Sequence, residues 1–331
     1  MLTLAIVGLG WWGRQLVKEL HGCERVRVTH GVDVDPEDAA EFGREYGIEI
    51  LGSLGQVLAL PEVDAVAIVT PHSLHEEQVL AVVAAGKHVF CEKPLAMTAA
   101  SAARMLDACD RAGLTLGIGH ERRFEGAYER AQMLVKSGAL GRLLHLDANI
   151  SHNQFRKLAQ TNWRLSQKNA PAGMMTGPGI HLTDLFVSLA GPAKSIRART
   201  ASMVFTPPAE DFMTAQIEFA SGCFGSVTTI SATPFYGRFT VFGDQGWVEV
   251  TEAGNVDSGL PTTVRHRDAS LEVATETFMP SNTARVNVEA WADAVEGRAP
   301  YRFTRQEMLA NIAIFEAIVT SAANGGQQVE L

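Results

Sequence analysis

The sequence predicts an α/β protein in which a parallel sheet covered by helices precedes an α+β domain with an open, mostly antiparallel sheet. Its 331 residues are enough for two domains, each with its own core. The first third alternates short apolar runs with amphipathic segments, the pattern of βαβ units. After about residue 120 the chain changes to strand-like runs separated by glycine turns. We therefore expect one domain at residues 1–120 and a second at residues 121–331.

The strands predicted in the first domain are short and rich in β-branched residues. They are Leu2–Val7, Val26–Val32, Ala65–Val69, His88–Cys91 and Thr115–Ile118. The amphipathic helices between them are Trp12–Leu20, Glu37–Tyr46, Leu74–Ala85 and Ala99–Ala112. Leu2–Val7 and Ala65–Val69 are almost uninterrupted apolar runs, as expected of strands buried on both faces of a parallel sheet.

The second domain combines a few helices with a long run of strands. Helices are predicted at Glu125–Ser137, from near Ile180, at Ala284–Val295 and at Arg305–Ala323, with a strand at Leu143–Ile150. From residue 194 to about 275 the alternation in FMTAQIEFA, CFGSVTTISAT and RFTVFGDQGWVEV predicts an antiparallel sheet. We expect one face of this sheet to pack on helices. We expect the other face to be apolar between Thr214 and Val250 and to be covered by a second copy of the chain.

Composition and charge exclude several classes of function. Hydrophobic residues make up 46% and charged residues 20%, which is typical of a globular protein. The formal net charge of −9 disfavours binding to nucleic acid or anionic membranes. No apolar run reaches the length of a membrane span, and LTLAIVG is too short for a signal peptide. The four cysteines form no CxxC pair, so neither zinc nor disulfides are indicated, and a cytoplasmic protein is expected.

The stretch IVGLGWWG carries a dinucleotide-binding pattern. Gly8, Gly10 and Gly13 have G-x-G-x-x-G spacing directly after a strand and before a helix, with Trp11 and Trp12 between them. In this context the first glycine allows a tight turn, the second lets a pyrophosphate approach, and the third lets helix and strand pack closely. The pattern predicts a Rossmann domain that binds a dinucleotide.

An acidic residue at the end of the second strand favours NAD. Asp33 lies 20 residues after Gly13, where a carboxylate accepts hydrogen bonds from the adenosine ribose. It would repel a 2′-phosphate, and no arginine follows at position 34 or 35, so NADP is the less favoured cofactor. Asp35 with Pro36 is expected to cap the next helix. The alternative for Asp33 is a second capping role.

Two further strands end in polar turns that contain proline. Thr70 and Pro71 follow one of them, and Glu92, Lys93 and Pro94 follow the other. Ligands of parallel sheets bind beyond the carboxyl ends of the strands, so these turns are expected at the cofactor. A residue before proline is held extended, which would fix the direction of Lys93. The alternative is a surface lysine that pairs with Glu92.

The motifs together resemble those of the Gfo/Idh/MocA oxidoreductases, the glucose–fructose oxidoreductase and inositol dehydrogenase group. The resemblance rests on GLGWWG, TPHSLHEEQVLAVVAAGKHVFCEKPLAMT, GHERRFEGAY, NWR and GIHLTD, which span most of the chain. It implies a Rossmann domain followed by a sheet domain that forms a homodimer or homotetramer. It implies that Lys93 and His181 flank the substrate and the nicotinamide. Members oxidise a secondary alcohol of a sugar, inositol or cyclic diol, or catalyse the reverse reduction.

One residue departs from the family pattern. The family often carries an aspartate four residues before the histidine, as D-x-G-x-H, and this chain has Gly177 there. Of the lysine, aspartate and histidine that the resemblance implies for the active site, this chain therefore carries only Lys93 and His181. The missing carboxylate leaves open lower activity or a pocket shaped for a bulkier substrate.

In AGMMTGPGIHLTD the histidine is expected at the start of a helix. Pro178 and its flanking glycines fit poorly inside a helix, whereas the chain from Ile180 onward fits well. The positive end of the helix dipole disfavours a protonated imidazole, and a Lys93 cation near it would act in the same direction. His181 is therefore predicted to be neutral and able to accept a hydroxyl proton, with Lys93 stabilising alkoxide charge.

Other polar residues are weaker candidates for substrate contacts. Arg122 and Arg123 belong to the R-R-F motif, and one of them is expected to bridge the domains. Arg122 is the candidate for a substrate contact, and the absence of such a contact is the alternative. Trp163 and Arg164 fall in the irregular stretch, where an indole can stack on a sugar ring. Ordinary packing is the alternative for Trp163.

The remaining candidates are Asp184 and two histidines. Asp184 lies one turn after His181 and could orient its ring, bind substrate or bond to backbone. His75 near the cofactor and His120 near the substrate are expected mainly to satisfy local hydrogen bonds. His181 and Asp184 lack further ligands at metal-binding spacing, so no metal is expected.

These observations predict an NAD-dependent oxidoreductase that acts on a sugar-like or cyclic polyol substrate. Two alternatives stay open. One is an enzyme that uses tightly held NAD to oxidise a glycoside transiently and eliminate its aglycone. The other is a catalytically silent sensor of dinucleotide and ligand, which the loss of the aspartate at 177 would permit.

Overall fold

The structure is a computed structural model that describes residues 1–207, 209–255, 258–270 and 272–331. These residues form two compact units. The first unit comprises Met1–Glu121 and Asn282–Arg305, and the second comprises Arg122–Ser281 and Gln306–Leu331.

The first unit is built on a six-stranded sheet in the order β3-β2-β1-β4-β5-β6, with all pairs parallel. The strands are β1 (Leu2–Val7), β2 (Val26–Val32), β3 (Glu49–Leu51), β4 (Ala65–Ile68), β5 (His88–Cys91) and β6 (Leu116–Ile118). The helices are α1 (Trp11–Leu20), α2 (Pro36–Tyr46), α3 (Leu54–Leu58), α4 (His75–Ala84) and α5 (Ala99–Ala112). The predicted parallel sheet is confirmed, while β3 and α3 were not predicted because they are too short to show a hydrophobic period.

Strand order explains where a ligand of this unit would bind. β1 and β4 are neighbours, and the order reverses between them, which is the arrangement that places ligands at the carboxyl ends of the central strands. All four residues of β4 and five of the six in β1 are buried, as the continuous apolar runs predicted.

The second unit holds a nine-stranded sheet in the order β14-β13-β12-β11-β7-β10-β9-β8-β15. Its strands are β7 (Leu143–Ser151), β8 (Ala193–Ala201), β9 (Phe212–Phe219), β10 (Phe224–Ile230), β11 (Tyr236–Gly243), β12 (Trp247–Glu252), β13 (Thr262–Arg267), β14 (Val273–Phe278) and β15 (Val329–Glu330). The remaining helices of the chain are α6 (Gly126–Lys136), α7 (Gly179–Ala190), α8 (Thr283–Val295) and α9 (Arg305–Ala323). The mostly antiparallel sheet is confirmed, although β7 and β10 pair in parallel.

One segment belongs to a different unit from the one that the sequence predicted. Residues 282–305, which include α8, were expected in the second domain but form part of the first unit. The reason is the apolar face of α8: Val288 and Trp291 are fully buried in the core that contains Leu4 and Phe90. The rings of Trp291 and Phe90 meet edge to face with their centroids 5.6 Å apart.

The open face of the second sheet also differs from the prediction. In β10 the buried residues alternate with partly exposed ones, so one face is covered by helices and the other is not. The uncovered face is not uniformly apolar, because Asp147, Ser226 and Arg238 form a hydrogen-bonded polar cluster at its centre. Exposed aromatic side chains lie at the strand ends, with Phe224 55% and Tyr236 50% exposed.

Candidate functional site

The three glycines after β1 fit the roles predicted for a dinucleotide loop. Gly8 has φ +99°, and a Cβ there would lie 2.7 Å from the carbonyl oxygen of Val69. A Cβ on Gly13 would lie 1.9 Å from the Gly8 oxygen, so strand and helix could not pack as they do. Apart from its two chain neighbours, no residue places a heavy atom within 4 Å of the Cβ position of Gly10, which caps the N-terminus of α1. This open, positively polarised end of α1 is suited to a pyrophosphate.

Asp33 lies beside this loop and is bonded to it. Its Oδ2 accepts a 3.0 Å hydrogen bond from the amide of Leu9, and its Oδ1 accepts one from the amide of Asp35. The Asp35 side chain accepts from the amide of Asp38 and caps α2, as the sequence predicted. Asp33 therefore supports the glycine loop in addition to the proposed ribose contact.

Sequence reasoning overlooked an arginine that bonds to the glycine loop. Arg14, on α1, donates to the Leu9 carbonyl and to the carboxylate of Asp38. The one sequence feature that could have indicated this role is the position of Arg14, four residues after Gly10. Because Asp38 balances its charge, Arg14 gives little support for a 2′-phosphate site.

His75 joins the two polar turns after β4 and β5. Its Nδ1 lies 2.9 Å from the carbonyl oxygen of Pro94, and its Nε2 lies 3.0 Å from that of Thr70. The side chain is fully buried, and burial lowers the pKa of His75. The local hydrogen-bonding role is therefore supported. The Thr70 hydroxyl donates to Gln78, so the neighbouring turn is also held by α4.

Glu92 links the second of these turns to the glycine loop. It is only 6% exposed, and its Oε1 accepts a 2.7 Å hydrogen bond from the indole nitrogen of Trp12. Its Oε2 accepts from the backbone amide of Lys93, and a Cβ on Gly119 would collide with the carboxyl group. Burial raises the pKa of Glu92, an effect that the neighbouring Lys93 charge and the indole bond oppose. Trp11, by contrast, is 60% exposed.

In the second unit, His181 occupies the first turn of α7, as predicted. The helix begins at Gly179 after Pro178, and the histidine side chain is buried at 4% exposure. Gly177 has ample space around it: the nearest atoms to an added Cβ are the Met174 oxygen and Cζ of Phe155, both at 3.8 Å. The fold therefore does not require a glycine at this position.

Asp184, predicted to orient His181 or to bind substrate, is paired with an arginine. Both of its carboxylate oxygens accept hydrogen bonds from Arg123, at 2.6 and 2.7 Å, and both side chains are buried. Arg123 also donates to Glu307 at 2.9 Å. This bidentate pair favours a structural role for Asp184 over contact with substrate. The partner lies 61 positions away in sequence, so spacing within GIHLTD could not reveal it.

Arg122 is also engaged with side chains of its own unit. It is 3% exposed and donates to the carboxylate of Glu252 and to the hydroxyl of Tyr128. These contacts within the second unit account for the polarity of the R-R-F motif without a substrate. In the first unit, His120 is buried, with its ring 6.2 Å from that of Phe303.

Trp163 and Arg164 lie in a short 3-10 turn of the irregular stretch before α7. Asn162 begins this turn and accepts a hydrogen bond from the Arg164 amide. The Arg164 guanidinium lies 4.3 Å from the centre of the Trp163 indole ring. Both side chains keep partial exposure.

The described residues lack a metal-binding cluster and a membrane-spanning helix. They contain no group of three or more His, Cys, Asp or Glu side chains arranged to hold a metal ion. They also contain no helix whose length and apolar character would let it cross a membrane.

Comparison with known proteins finds matches to both parts of the chain. Residues 2–120 match the GFO_IDH_MocA model, described as an oxidoreductase family with an NAD-binding Rossmann fold. Residues 128–249 match the GFO/IDH/MocA C-terminal domain.

Similar proteins extend over nearly the whole chain. The chain is 28% identical over 312 residues to 1,5-anhydro-D-fructose reductase of Ensifer adhaerens, covering 91% of each protein. It is 31% identical over 294 residues to D-xylose 1-dehydrogenase (NADP(+)) 2 of Haloferax volcanii, covering 88% of each. The crystal structure of aldose-aldose oxidoreductase from Caulobacter crescentus, complexed with glycerol, superposes with a TM-score of 0.87 at 28% identity. That match covers 100% of this chain and 99% of the other.

Proposed function

Because the chain belongs to the Gfo/Idh/MocA family of oxidoreductases, we propose that it transfers a hydride between NAD and a secondary alcohol or ketone of a sugar-like or cyclic polyol. The family and the glycine loop support a dinucleotide in the first unit. The relatives named for anhydrofructose and xylose support a sugar-like substrate. NAD, when bound, supplies the hydride acceptor or donor.

The observation that carries this proposal is the shape of the loop between β1 and α1. At Gly10 the space that a side chain would occupy is empty, and the free amides of the first helical turn adjoin that space. Gly8 and Gly13 are required by the fold, whereas Gly10 is not crowded by protein. The residues present therefore fit a bound pyrophosphate. The carboxylate of Asp33 supports NAD over NADP.

We assign the proton chemistry to His181 and Lys93. His181 lies at the positive end of α7, where the helix dipole favours the neutral imidazole that can accept a proton from a substrate hydroxyl. Lys93 is assigned to stabilise the negative charge that develops on the substrate oxygen. The Glu92 carboxylate and the His75 ring fix the turn that carries Lys93.

The proposal includes a division of labour and a homo-oligomer. The first unit is proposed to bind NAD, and the second is proposed to bind substrate and to pair with another copy. The exposed aromatic side chains Phe224 and Tyr236 on the open sheet face, with Phe242 at 38% exposure, support such a contact.

The test is a panel of sugars and cyclic polyols with NAD, and of the matching ketones with NADH, followed by absorbance at about 340 nm. Formation of NADH from at least one alcohol supports the proposal. Conversion of a glycoside without net NADH would instead favour transient oxidation followed by elimination.

Gly177 gives a reason to keep a second candidate, a non-catalytic sensor. The usual carboxylate is absent, although the backbone leaves room for it. A sensor would bind NAD and a ligand in calorimetry but convert no member of the panel.

A further inference from the structure

The second unit contains a long stretch without acidic residues. The chain has 37 Asp and Glu residues against 28 Lys and Arg, yet residues 148–183 include no acid at all. The same stretch carries four cations, Arg156, Lys157, Arg164 and Lys168. The sign of the charge here is therefore opposite to that of the chain as a whole.

In the part of the chain that the structure describes, no carboxylate pairs with these cations. Across the described ranges 1–207, 209–255, 258–270 and 272–331, no ion pair involves any of the four. The buried Arg122 and Arg123 of the same unit, in contrast, are each paired with acidic side chains. The stretch therefore presents uncompensated positive charge.

Arg164 is the cation that most needs a partner. Burial lowers the pKa of Arg164, and no nearby carboxylate opposes that effect. Its guanidinium lies over the Trp163 indole, and the turn that begins at Asn162 fixes its backbone. A guanidinium that has lost part of its hydration binds a carboxylate or phosphate favourably, because its planar donors match two oxygens at once.

Gly177 lies in the same stretch and next to part of it. A Cβ on Gly177 would lie 3.8 Å from Cζ of Phe155, the residue that precedes Arg156 and Lys157. No left-handed backbone angle or steric contact requires glycine there. Glycine at position 177 therefore keeps a negative charge out of residues 148–183.

We propose that the substrate of this enzyme carries a negatively charged group, a sugar carboxylate or a sugar phosphate, and that residues 148–183 bind it with Arg164 as the principal donor. This inference rests on the function proposed above and narrows its substrate class. The missing aspartate and the cations without ion pairs would then both favour binding of the anionic group, since an aspartate at position 177 would repel it.

The first experiment measures binding to the NAD-loaded full-length protein by calorimetry, using sugars that share a ring and differ in the neutral or charged group at carbon 6. D-glucose is compared with D-glucuronate and D-glucose 6-phosphate, and D-galactose with D-galacturonate and D-galactose 6-phosphate. We expect a charged member to bind at least about tenfold more tightly than its neutral parent, with an affinity that falls as salt rises. The comparison of acid with phosphate identifies which anion is preferred. Neutral sugars that bind as tightly as every charged partner, or no binding by any charged member, would overturn the inference.

Substitutions then test which residues bind the charge. Arg164→Gln should lower the affinity for the charged ligand by about tenfold or more relative to the affinity for the neutral parent, because it removes the charged donor. Gly177→Asp should weaken the charged ligand by a similar factor, whereas the isosteric Gly177→Asn should not. Equal effects of the Asp and Asn variants would show that size, not charge, matters at this position.

NADH formation, followed in parallel, separates this inference from the proposed function. Tight binding of the charged sugar without turnover of any compound would support the anion site and rule out the dehydrogenase assignment. Turnover of a neutral polyol without binding of any charged sugar would support the dehydrogenase assignment and rule out the anion site.

Discussion

The indole nitrogen of Trp12, at the start of α1, donates a 2.7 Å hydrogen bond to the buried carboxyl group of Glu92, directly after β5. These residues are 80 positions apart, and each belongs to a different motif of the chain. The bond joins the dinucleotide loop to the turn that carries Lys93. The turn of Glu92, Lys93 and Pro94 is therefore held by α1, the helix at which the dinucleotide phosphates are proposed to bind.

Replacement of Trp12 by Phe should destabilise the protein by about 1.5–3 kcal/mol at pH 8, the scale of a hydrogen bond to a charged group. Trp11→Phe is the matched control, and since Trp11 is 60% exposed its effect should stay within about 0.5 kcal/mol. Urea unfolding of both variants measures the difference. Equal stability of the two variants would mean that the Trp12 bond contributes nothing.

The Trp12 effect should depend on pH in a defined direction. Burial raises the pKa of Glu92 above its unfolded value, so the folded protein favours the protonated form, and this contribution is lost as pH rises through the folded pKa. Because the indole stabilises the carboxylate, Trp12→Phe should raise that pKa further. The difference from wild type should therefore be largest at pH 8 and shrink towards pH 5. A difference that grows on acidification would contradict this assignment.

Asp33→Asn should narrow the preference for NAD over NADP. The asparagine oxygen can still accept from the Leu9 amide, so the loop is retained while the charge that repels a 2′-phosphate is removed. We expect wild type to bind NAD at least about tenfold more tightly than NADP, equivalent to about 1.4 kcal/mol. Fluorescence titration with both cofactors measures this ratio. Tighter binding of NADP by the wild type would rule out the role given to Asp33.

His181→Ala and Lys93→Ala should each lower kcat by about 10² or more on a verified substrate, the scale of acid–base and oxyanion groups. The affinity for NAD should remain nearly unchanged in both variants, which calorimetry checks independently of turnover. If the His181 variant retains wild-type turnover, that residue is part of the scaffold only.

Asp184→Asn should destabilise the second unit by about 3–5 kcal/mol, because Arg123 would keep its buried charge with one carboxylate fewer. The matched control is Glu276→Gln at the partly exposed pair with Arg130, where a loss of about 0–1 kcal/mol is expected. Unchanged stability with lost activity in Asp184→Asn would restore the predicted role at the substrate.

A double substitution of Phe224 and Phe242 by aspartate should convert the proposed homo-oligomer to a monomer. Both side chains lie on the open sheet face and are exposed. Met133→Asp is the control, since Met133 is 60% exposed on α6 and should not affect assembly. Light scattering at micromolar concentration gives the masses. A monomeric wild type would refute the assembly.

The elements of the first unit could be predicted because their signals are local. β1 and β4 are continuous apolar runs, and the glycine spacing dictates the turn before α1. Partners that are distant in sequence could not be predicted in this way. The apolar stripe of α8 shows that it must cover a core, but nothing in its spacing says which one.

The same limit applies to the candidate site. The position of His181 followed from Pro178 and the helix that begins beside it, all within a few residues. The partner of Asp184, in contrast, is Arg123, and no periodicity relates the two. The sequence alone shows that residues 148–183 contain no acid, but only the structure shows that no ion pair among the described residues involves their cations.

The discontinuous first unit has a consequence for how the protein is made. Met1–Glu121 emerges from the ribosome early in synthesis. Trp291 completes the core beside Phe90, but it emerges only after all of Arg122–Ser281 has been translated. At about 5–20 residues per second this delay is on the order of 10 s. During that time the nascent chain exposes the apolar surface that α8 will cover, and chaperones that bind such surface would have a defined window in which to act.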